Sequence, residues 1–132
     1  MRYLSVIAAL LSLTLVACGD DDDGPGGIAC DIEILSVTPE PNGNFTIRTR
    51  NNTSAEGQVS FDVIYAEGGI QNGDQGIGVA SNVGPGVTVD IETVGGVDPD
   101  EYDCASLRVT FISTQAGGII CDAVPVGDDC YN

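Results

Sequence analysis

From residue 30 onward, apolar and polar residues alternate with a period of two, and clusters of Gly, Pro and Asn interrupt the alternation. A period of two is typical of strands that bury one face, and the interrupting residues favour turns. No window keeps the period of about 3.6 residues that marks an amphipathic helix. The pattern predicts seven short strands, at residues 32–37, 45–50, 59–65, 77–80, 87–92, 106–111 and 119–126.

Seven short strands separated by turn residues predict an all-β fold, an antiparallel β-sandwich in a single domain. Within this pattern, residues 68–76 are rich in glycine and break the alternation, and 77–80 is the weakest strand. We expect 68–76 to form a mobile loop and a contact surface. A domain of about 100 residues buries only about two-thirds of its surface, so disulfide bonds would add to its stability.

The first 18 residues follow a different pattern. Arg2 precedes an almost continuous apolar run at residues 4–16, and the small residues Ala17 and Cys18 end it. A basic start, a short apolar run and a small-residue exit are typical of a secretory signal peptide. The run is shorter than the roughly 20 residues that a membrane-spanning helix needs.

Residues 15–18, Leu-Val-Ala-Cys, resemble the lipobox of bacterial lipoproteins. The resemblance implies cleavage before Cys18 and lipidation of its sulfur and its new amino group. Several acyl chains on one residue would anchor the mature chain stably in a membrane. The alternatives are plain secretion with an incidental Cys18, and an uncleaved anchor.

Residues 19–27 contain only Gly, Asp and one Pro, and they predict a solvated spacer because like charges repel one another. Acidic residues directly after a lipidated Cys also resemble the surface-export signal of Bacteroidetes lipoproteins. Gly19 differs from the Asp that retains enterobacterial lipoproteins at the inner membrane. Both features favour the outer membrane. They do not indicate which of its two faces carries the protein. The predicted organisation is a signal peptide at 1–17, lipidated Cys and tether at 18–29, and the sandwich at 30–132.

Charge excludes several classes of function. The chain has 20 acidic residues against four Arg, no Lys and no His, and its net charge is −16. Such a chain repels nucleic acid and anionic headgroups, so we expect no nucleic-acid partner and membrane contact through the lipid on Cys18 alone. Without His, the Ser-His-Asp, Cys-His and usual zinc mechanisms are absent. We expect a protein that is not an enzyme and that needs no cofactor.

The acidic residues include one cluster that could bind a metal. Asp98, Asp100, Glu101 and Asp103 surround a proline between the fifth and sixth predicted strands. Hard oxygen ligands suit calcium, which makes these four a weak calcium candidate. Their spacing is not that of an EF-hand loop, so a solvated acidic loop is the simpler interpretation. Asn44, Asn51 and Asn52 begin N-glycosylation patterns, which we interpret as turn and strand chemistry.

Three segments, 44–53, 59–65 and 84–89, resemble bacterial immunoglobulin-like domains of the CARDB type. In that family the second strand runs into an Asn-rich loop, and a Pro-Gly turn leads into a later strand. The similarity covers residues 30–126 and implies an immunoglobulin-like sandwich.

Asp98, Tyr102 and Cys104 also have the spacing of the immunoglobulin tyrosine corner and its following cysteine. The chain departs from antibody domains because it has no Trp and no Cys in the second strand. The alternation also places Cys104 on the other face of its strand from Leu107 and Val109. Tyr102 is therefore a candidate corner residue, whereas Cys104 does not form the core disulfide of an antibody domain.

Four cysteines remain if Cys18 is lipidated: Cys30, Cys104, Cys121 and Cys130. An even number in an exported domain predicts two disulfide bonds, for which three pairings exist. With strands that alternate in direction, Cys30 and Cys121 lie toward one end of the sandwich, and the other two lie toward the opposite end. Bridged Cα atoms lie within about 7 Å of each other, so this topology favours Cys30–Cys121 and Cys104–Cys130.

The sequence predicts a membrane-anchored exported lipoprotein with a binding or structural role, such as adhesion to an envelope or extracellular protein. The alternative is an accessory or inhibitor module of a secreted or envelope enzyme, which would present the glycine-rich residues 68–76 to that enzyme.

Overall fold

The computed structural model describes residues 23–24, 27–68, 70–126 and 130–131. These residues form nine strands and a 3₁₀ turn at Pro99–Glu101. The strands are β1 (Asp23–Gly24), β2 (Ile28–Ala29), β3 (Ile32–Pro39), β4 (Phe45–Asn51), β5 (Gly57–Glu67), β6 (Ile70–Val83), β7 (Thr88–Glu92), β8 (Cys104–Ser113) and β9 (Gly118–Pro125). The seven strands predicted from the alternation correspond to β3–β9.

Two antiparallel sheets pack face to face. The three-stranded sheet has the order β3-β4-β7, and the four-stranded sheet has the order β6-β5-β8-β9. The all-β sandwich predicted from the sequence is confirmed. We define the upper end of the sandwich by the loops 52–56, 84–87 and 114–117. The lower end carries the loops 40–44 and 93–103.

The core lies between the two sheets and follows the period of two. In β4, β5 and β8 the inward-facing side chains are buried, while alternate residues face solvent. The fully buried large side chains include Phe45, Ile47, Phe61, Val63, Tyr65, Leu107 and Phe111. Burial of this apolar area supplies the main favourable free energy of folding.

The interpretation of residues 68–76 as a mobile loop is wrong, because β6 begins at Ile70. It pairs with β5 along its length, from Glu67 opposite Ile70 to Gly57 opposite Val83. The glycines reflect a close approach between the sheets. A Cβ on Gly78 would lie 2.8 Å from Ile91 Cγ2 and 3.2 Å from the carbonyl oxygen of Glu92. The neighbouring strand β7 leaves no space for a side chain at Gly78, and β6 continues through this position.

Both open sides of the sandwich are joined. On the β6 side, Ile77 and Val94 exchange two backbone hydrogen bonds of 2.9 and 2.8 Å, which connect the four-stranded sheet to the segment after β7. On the β9 side, a disulfide bond joins Cys30, just before β3, to Cys121 in β9. Each side of the sandwich therefore has one direct connection between the sheets.

Part of the segment predicted as a tether is paired. Asp23 and Gly24 lie opposite Ala29 and Ile28 in an antiparallel pair, and this hairpin lies beside β9. Ile28 and Cys30 also pack against the core. The described sheet structure therefore includes Asp23 and Gly24, which lie within the predicted tether.

We predict that Gly78→Ala lowers the free energy of unfolding by about 1 to 3 kcal/mol, because the new methyl group overpacks the contact with Ile91. Gly84→Ala is the matched control, since its Cβ would meet Val87 at an ordinary 3.6 Å. Urea denaturation of both variants measures the difference. Equal stability of the two variants would contradict the close approach at Gly78.

Candidate functional site

Cys18, the proposed lipidation residue, and the signal peptide lie outside the described residues. Within the described ranges, no helix is long and apolar enough to cross a membrane. The features that can bear on function are therefore the disulfide bonds, the two ends of the sandwich and the outer faces of its sheets.

The structure forms two disulfide bonds, with the pairing that the topology favours. Cys30 bonds to Cys121 with a Cα–Cα distance of 5.1 Å, and Cys104 bonds to Cys130 with a Cα–Cα distance of 5.0 Å. Cys104 faces away from the core while Ala105 beside it is buried, as the alternation predicts.

The two bonds differ in exposure and in what they hold. Cys121 is fully buried, whereas Cys130 is exposed. The Cys104–Cys130 bond fixes the end of the chain at the lower end of β8, where Tyr131 and Ala105 exchange backbone hydrogen bonds of 2.7 and 2.9 Å. The first bond joins the two sheets, and the second attaches a terminal segment.

Aromatic side chains cluster at the lower end. The Tyr65 ring packs edge-on against Tyr102 at 4.8 Å between centroids, and Phe45 contacts both Tyr65 and Tyr131. The Tyr65 hydroxyl donates a 2.8 Å hydrogen bond to the carbonyl of Gly43. Burial raises the pKa of Tyr65, and the neighbouring Tyr102 raises it further; burial also raises the pKa of Tyr102. These phenols are structural groups that stay protonated at neutral pH.

The weak calcium candidate gains no support from the geometry. Asp98 Oδ1 accepts a hydrogen bond from the backbone N–H of Asp100 and caps the 3₁₀ turn. Asp103 Oδ2 accepts one from the N–H of Gly68. In the part of the chain that the structure describes, no three carboxylate or thiol side chains converge to hold a metal ion. Asp98, Asp100, Glu101 and Asp103 form a loop in which two carboxylates stabilise turns.

The upper end is organised by Asn51, whose side chain is fully buried. Its amide nitrogen donates to the carbonyls of Ala55 at 2.8 Å and Val83 at 2.9 Å. Its carbonyl oxygen accepts from the backbone N–H and the hydroxyl of Thr53. One side chain therefore connects the loop 52–56 to the end of β6.

The backbone of Asn51 extends the same network to the turn before β7. Its N–H donates to the carbonyl of Val87, and its carbonyl accepts from the N–H of Gly86. The interpretation of this Asn-rich segment as turn chemistry agrees with these contacts. A buried Asn51 side chain is also inaccessible to a glycosylating enzyme.

A cleft of about 280 Å³ lies between loops of the upper end and the four-stranded sheet. Uncharged amide and hydroxyl groups dominate its lining, which consists of Glu56, Gly57, Gln58, Ser81, Asn82, Ile112, Thr114 and Gln115. Asn82 adopts the left-handed region with φ of 56°, next to an irregularity in the pairing of β5 and β6. The cleft can form hydrogen bonds with a neutral polar surface, and Glu56 is the one titratable side chain in its lining.

The outer faces of the two sheets differ in character. On the three-stranded sheet, Arg50 lies 3.5 Å from Glu33, and Arg48 lies 3.8 Å from Asp90. These exposed pairs make a solvated, charged face that adds little to stability. On the four-stranded sheet, Ile77 and Val79 of the edge strand β6 are 47% and 49% exposed. The four-stranded sheet is therefore the more apolar of the two.

Comparison of the chain with protein-family models, with curated proteins and with solved structures found no significant match. The functional argument accordingly depends on the residues and their geometry.

The sequence did not indicate the cleft or the central role of Asn51. The available signal for Asn51 was an Asn at the end of an alternating strand with Thr two residues later, a spacing suited to an Asx turn. The cleft has no such signal, because three separate segments of the chain line it.

We predict that Asn51→Ala lowers the free energy of unfolding by about 2 to 4 kcal/mol, since it removes a buried hydrogen-bond network. Asn52→Ala is the matched control. Asn52 is exposed and its side chain donates to Glu33, so its loss should change stability by no more than about 0.5 kcal/mol. Thermal or urea unfolding measures the free energy of unfolding of both variants. A similar loss of stability in both would contradict the buried hydrogen-bond network of Asn51.

We predict that graded treatment of the folded protein with a dithiol reduces Cys104–Cys130 before Cys30–Cys121. A thiolate must reach a sulfur atom to attack it, and Cys121 is fully buried while Cys130 is exposed. Alkylation of the released thiols and peptide mapping by mass spectrometry give the order. In denaturant, this difference in the order of reduction should disappear. Earlier loss of the Cys30–Cys121 bond in the folded protein would contradict the buried position of Cys121.

Proposed function

We propose that this protein is an exported bacterial lipoprotein that holds a disulfide-bonded β-sandwich at a membrane surface, with a non-enzymatic binding or structural role. The observation that carries the proposal is the lipobox-like Leu-Val-Ala-Cys at residues 15–18, after a basic start and an apolar run. The acidic residues after Cys18 and the Gly at position 19 favour the outer membrane as the site of the anchor.

The disulfide bonds are a second, independent observation that supports export. Disulfide bonds form and persist in oxidising compartments outside the bacterial cytoplasm. All four cysteines of the described residues are paired, and the fifth is the residue that the lipobox assigns to the lipid. The number of cysteines is thus accounted for without a free thiol.

The strand order supports an immunoglobulin-like topology, which we propose as the fold type. Immunoglobulin-like domains place seven strands in two sheets of four and three, with connections that cross between the sheets. Here β4 and β5 lie in different sheets, as do β6 and β7, and β7 and β8. The fourth strand joins the sheet of β5, β8 and β9, in contrast to the constant-type antibody domain, where it joins the first sheet.

A binding role is supported by the surface. The outer face of the three-stranded sheet is charged and solvated, whereas β6 exposes Ile77 and Val79 at the edge of the other sheet. The alternative of an inhibitor module depended on residues 68–76 as a presented loop. That alternative loses its main feature, because β6 includes residues 70–76 and pairs with β5.

We predict that Cys18→Ala abolishes metabolic labelling of the protein with radioactive palmitate and leaves the signal peptide unprocessed or misprocessed, because the thiol accepts the lipid. Gly19→Ala is the matched control, since it changes the adjacent residue and keeps the thiol, and it should label normally. The protein is labelled during expression, the membranes are isolated, and their proteins are separated by gel electrophoresis to measure the incorporated label. Undiminished labelling of Cys18→Ala would overturn the lipoprotein assignment.

A further inference from the structure

Charged residues are divided unevenly between the two ends of the sandwich. The upper loops 52–56, 84–87 and 114–117 contain a single charged residue, Glu56. The lower loops 40–44 and 93–103 contain five acidic residues and no basic one: Glu40, Asp98, Asp100, Glu101 and Asp103. Asp31, whose carbonyl accepts a hydrogen bond from the N–H of Asn52, adds one more acidic residue beside the upper loops. Along its long axis, the domain is therefore weakly acidic at the upper end and strongly acidic at the lower end.

The chain enters the domain toward its less acidic, upper end. Cys30 is bonded to Cys121, which lies three residues after Gly118, where β9 begins at the upper end. Asp23 is paired with Ala29, directly before Cys30. The disulfide bond and this pairing hold the first described strand close to the upper half of β9.

The distance from the lipid to this entry point is short. Asp23 lies five positions after Cys18, and a fully extended chain of that length spans at most about 18 Å. An anchor at Cys18 would therefore keep the entry side of the domain close to the headgroups, whereas the lower end lies further away along the strands.

Electrostatics favours the same orientation. Bacterial membranes carry anionic lipids, and their negative surface potential repels acidic groups within about one Debye length, about 8 Å at physiological ionic strength. The acidic lower loops would be repelled at that distance. The upper loops carry little charge and can approach the headgroups with their amide and hydroxyl groups hydrated or hydrogen-bonded.

We propose that the upper end, formed by loops 52–56, 84–87 and 114–117, rests against the headgroup layer of the membrane that holds Cys18. The acidic lower end then points away from that membrane. The inference rests on the proposed lipid anchor, and it revises the expectation that the lipid on Cys18 is the sole contact with the membrane.

The absence of natural tryptophan makes a direct test available. Three single-tryptophan variants of the full-length, membrane-extracted protein report on three exposed positions: Gln115→Trp at the upper end, Asp122→Trp on β9 and Glu101→Trp at the lower end. Each is reconstituted into vesicles of phosphatidylethanolamine and phosphatidylglycerol that contain a lipid with a spin label on its headgroup. Quenching of tryptophan fluorescence by the spin label measures proximity to the headgroups.

Because the ten residues of β8 separate the two ends by about 30 Å, we expect Gln115→Trp to be quenched at least about twofold more than Glu101→Trp. Asp122→Trp should lie between them. Strongest quenching of Asp122→Trp would mean that the domain lies on its β9 side. Equal or stronger quenching of Glu101→Trp would mean that the upper end does not contact the headgroups. Either result overturns the proposed orientation.

The mass of the N-terminal peptide from the same preparations separates this inference from the lipoprotein proposal. An acylated Cys18 with the wrong quenching order overturns the orientation alone. A protein without acylation at Cys18 overturns both. Far-ultraviolet circular dichroism of each variant, matched to the parent protein, shows that the fold is kept.

Discussion

The two sheets of this domain are joined directly at both open sides, and the packing between them depends on those two connections. The covalent bond between Cys30 and Cys121 holds β3 beside β9. On the other side, the backbone of Ile77 bonds to that of Val94, which requires strands close enough that Gly76 and Gly78 have no room for side chains. A small core with few aromatic residues is thereby enclosed by a cross-link on one side and by close backbone contact on the other.

Much of the fold could be predicted from the sequence because its signals are local. The alternation in β4, β5 and β8 locates the buried faces, and strand direction follows from counting the turns between strands. That count places Cys30 with Cys121 and Cys104 with Cys130, which is the pairing in the structure. Sequence reasoning works here because a period of two and an antiparallel order each follow from neighbouring residues.

The first half of β6, residues 70–76, could not be predicted as a strand, because the reason for its glycines lies elsewhere in the chain. Glycine lowers the strand propensity of a segment, and Gly73, Gly76 and Gly78 together resemble a loop. Gly78 is required by Ile91 and Glu92 on β7, which approach it from the other sheet. Asn51 is a similar case, since its polar side chain suggests a surface turn while its partners at Ala55 and Val83 bury it. Contacts with residues distant in the sequence determine the roles of Gly78 and Asn51.

Two observations support the proposed export, and they are physically independent. The proposed lipobox would be recognised by a processing enzyme from its local sequence, whereas the disulfide bonds depend on the folded positions of four cysteines far apart in sequence. A cytoplasmic chain would gain nothing from Cys104–Cys130, whose exposed sulfur at Cys130 a reducing environment would keep as a thiol. An oxidising compartment keeps that bond intact, and with it the pairing of Tyr131 with Ala105. The proposed export would thus also provide the condition under which the Cys104–Cys130 bond completes the lower end of the sandwich.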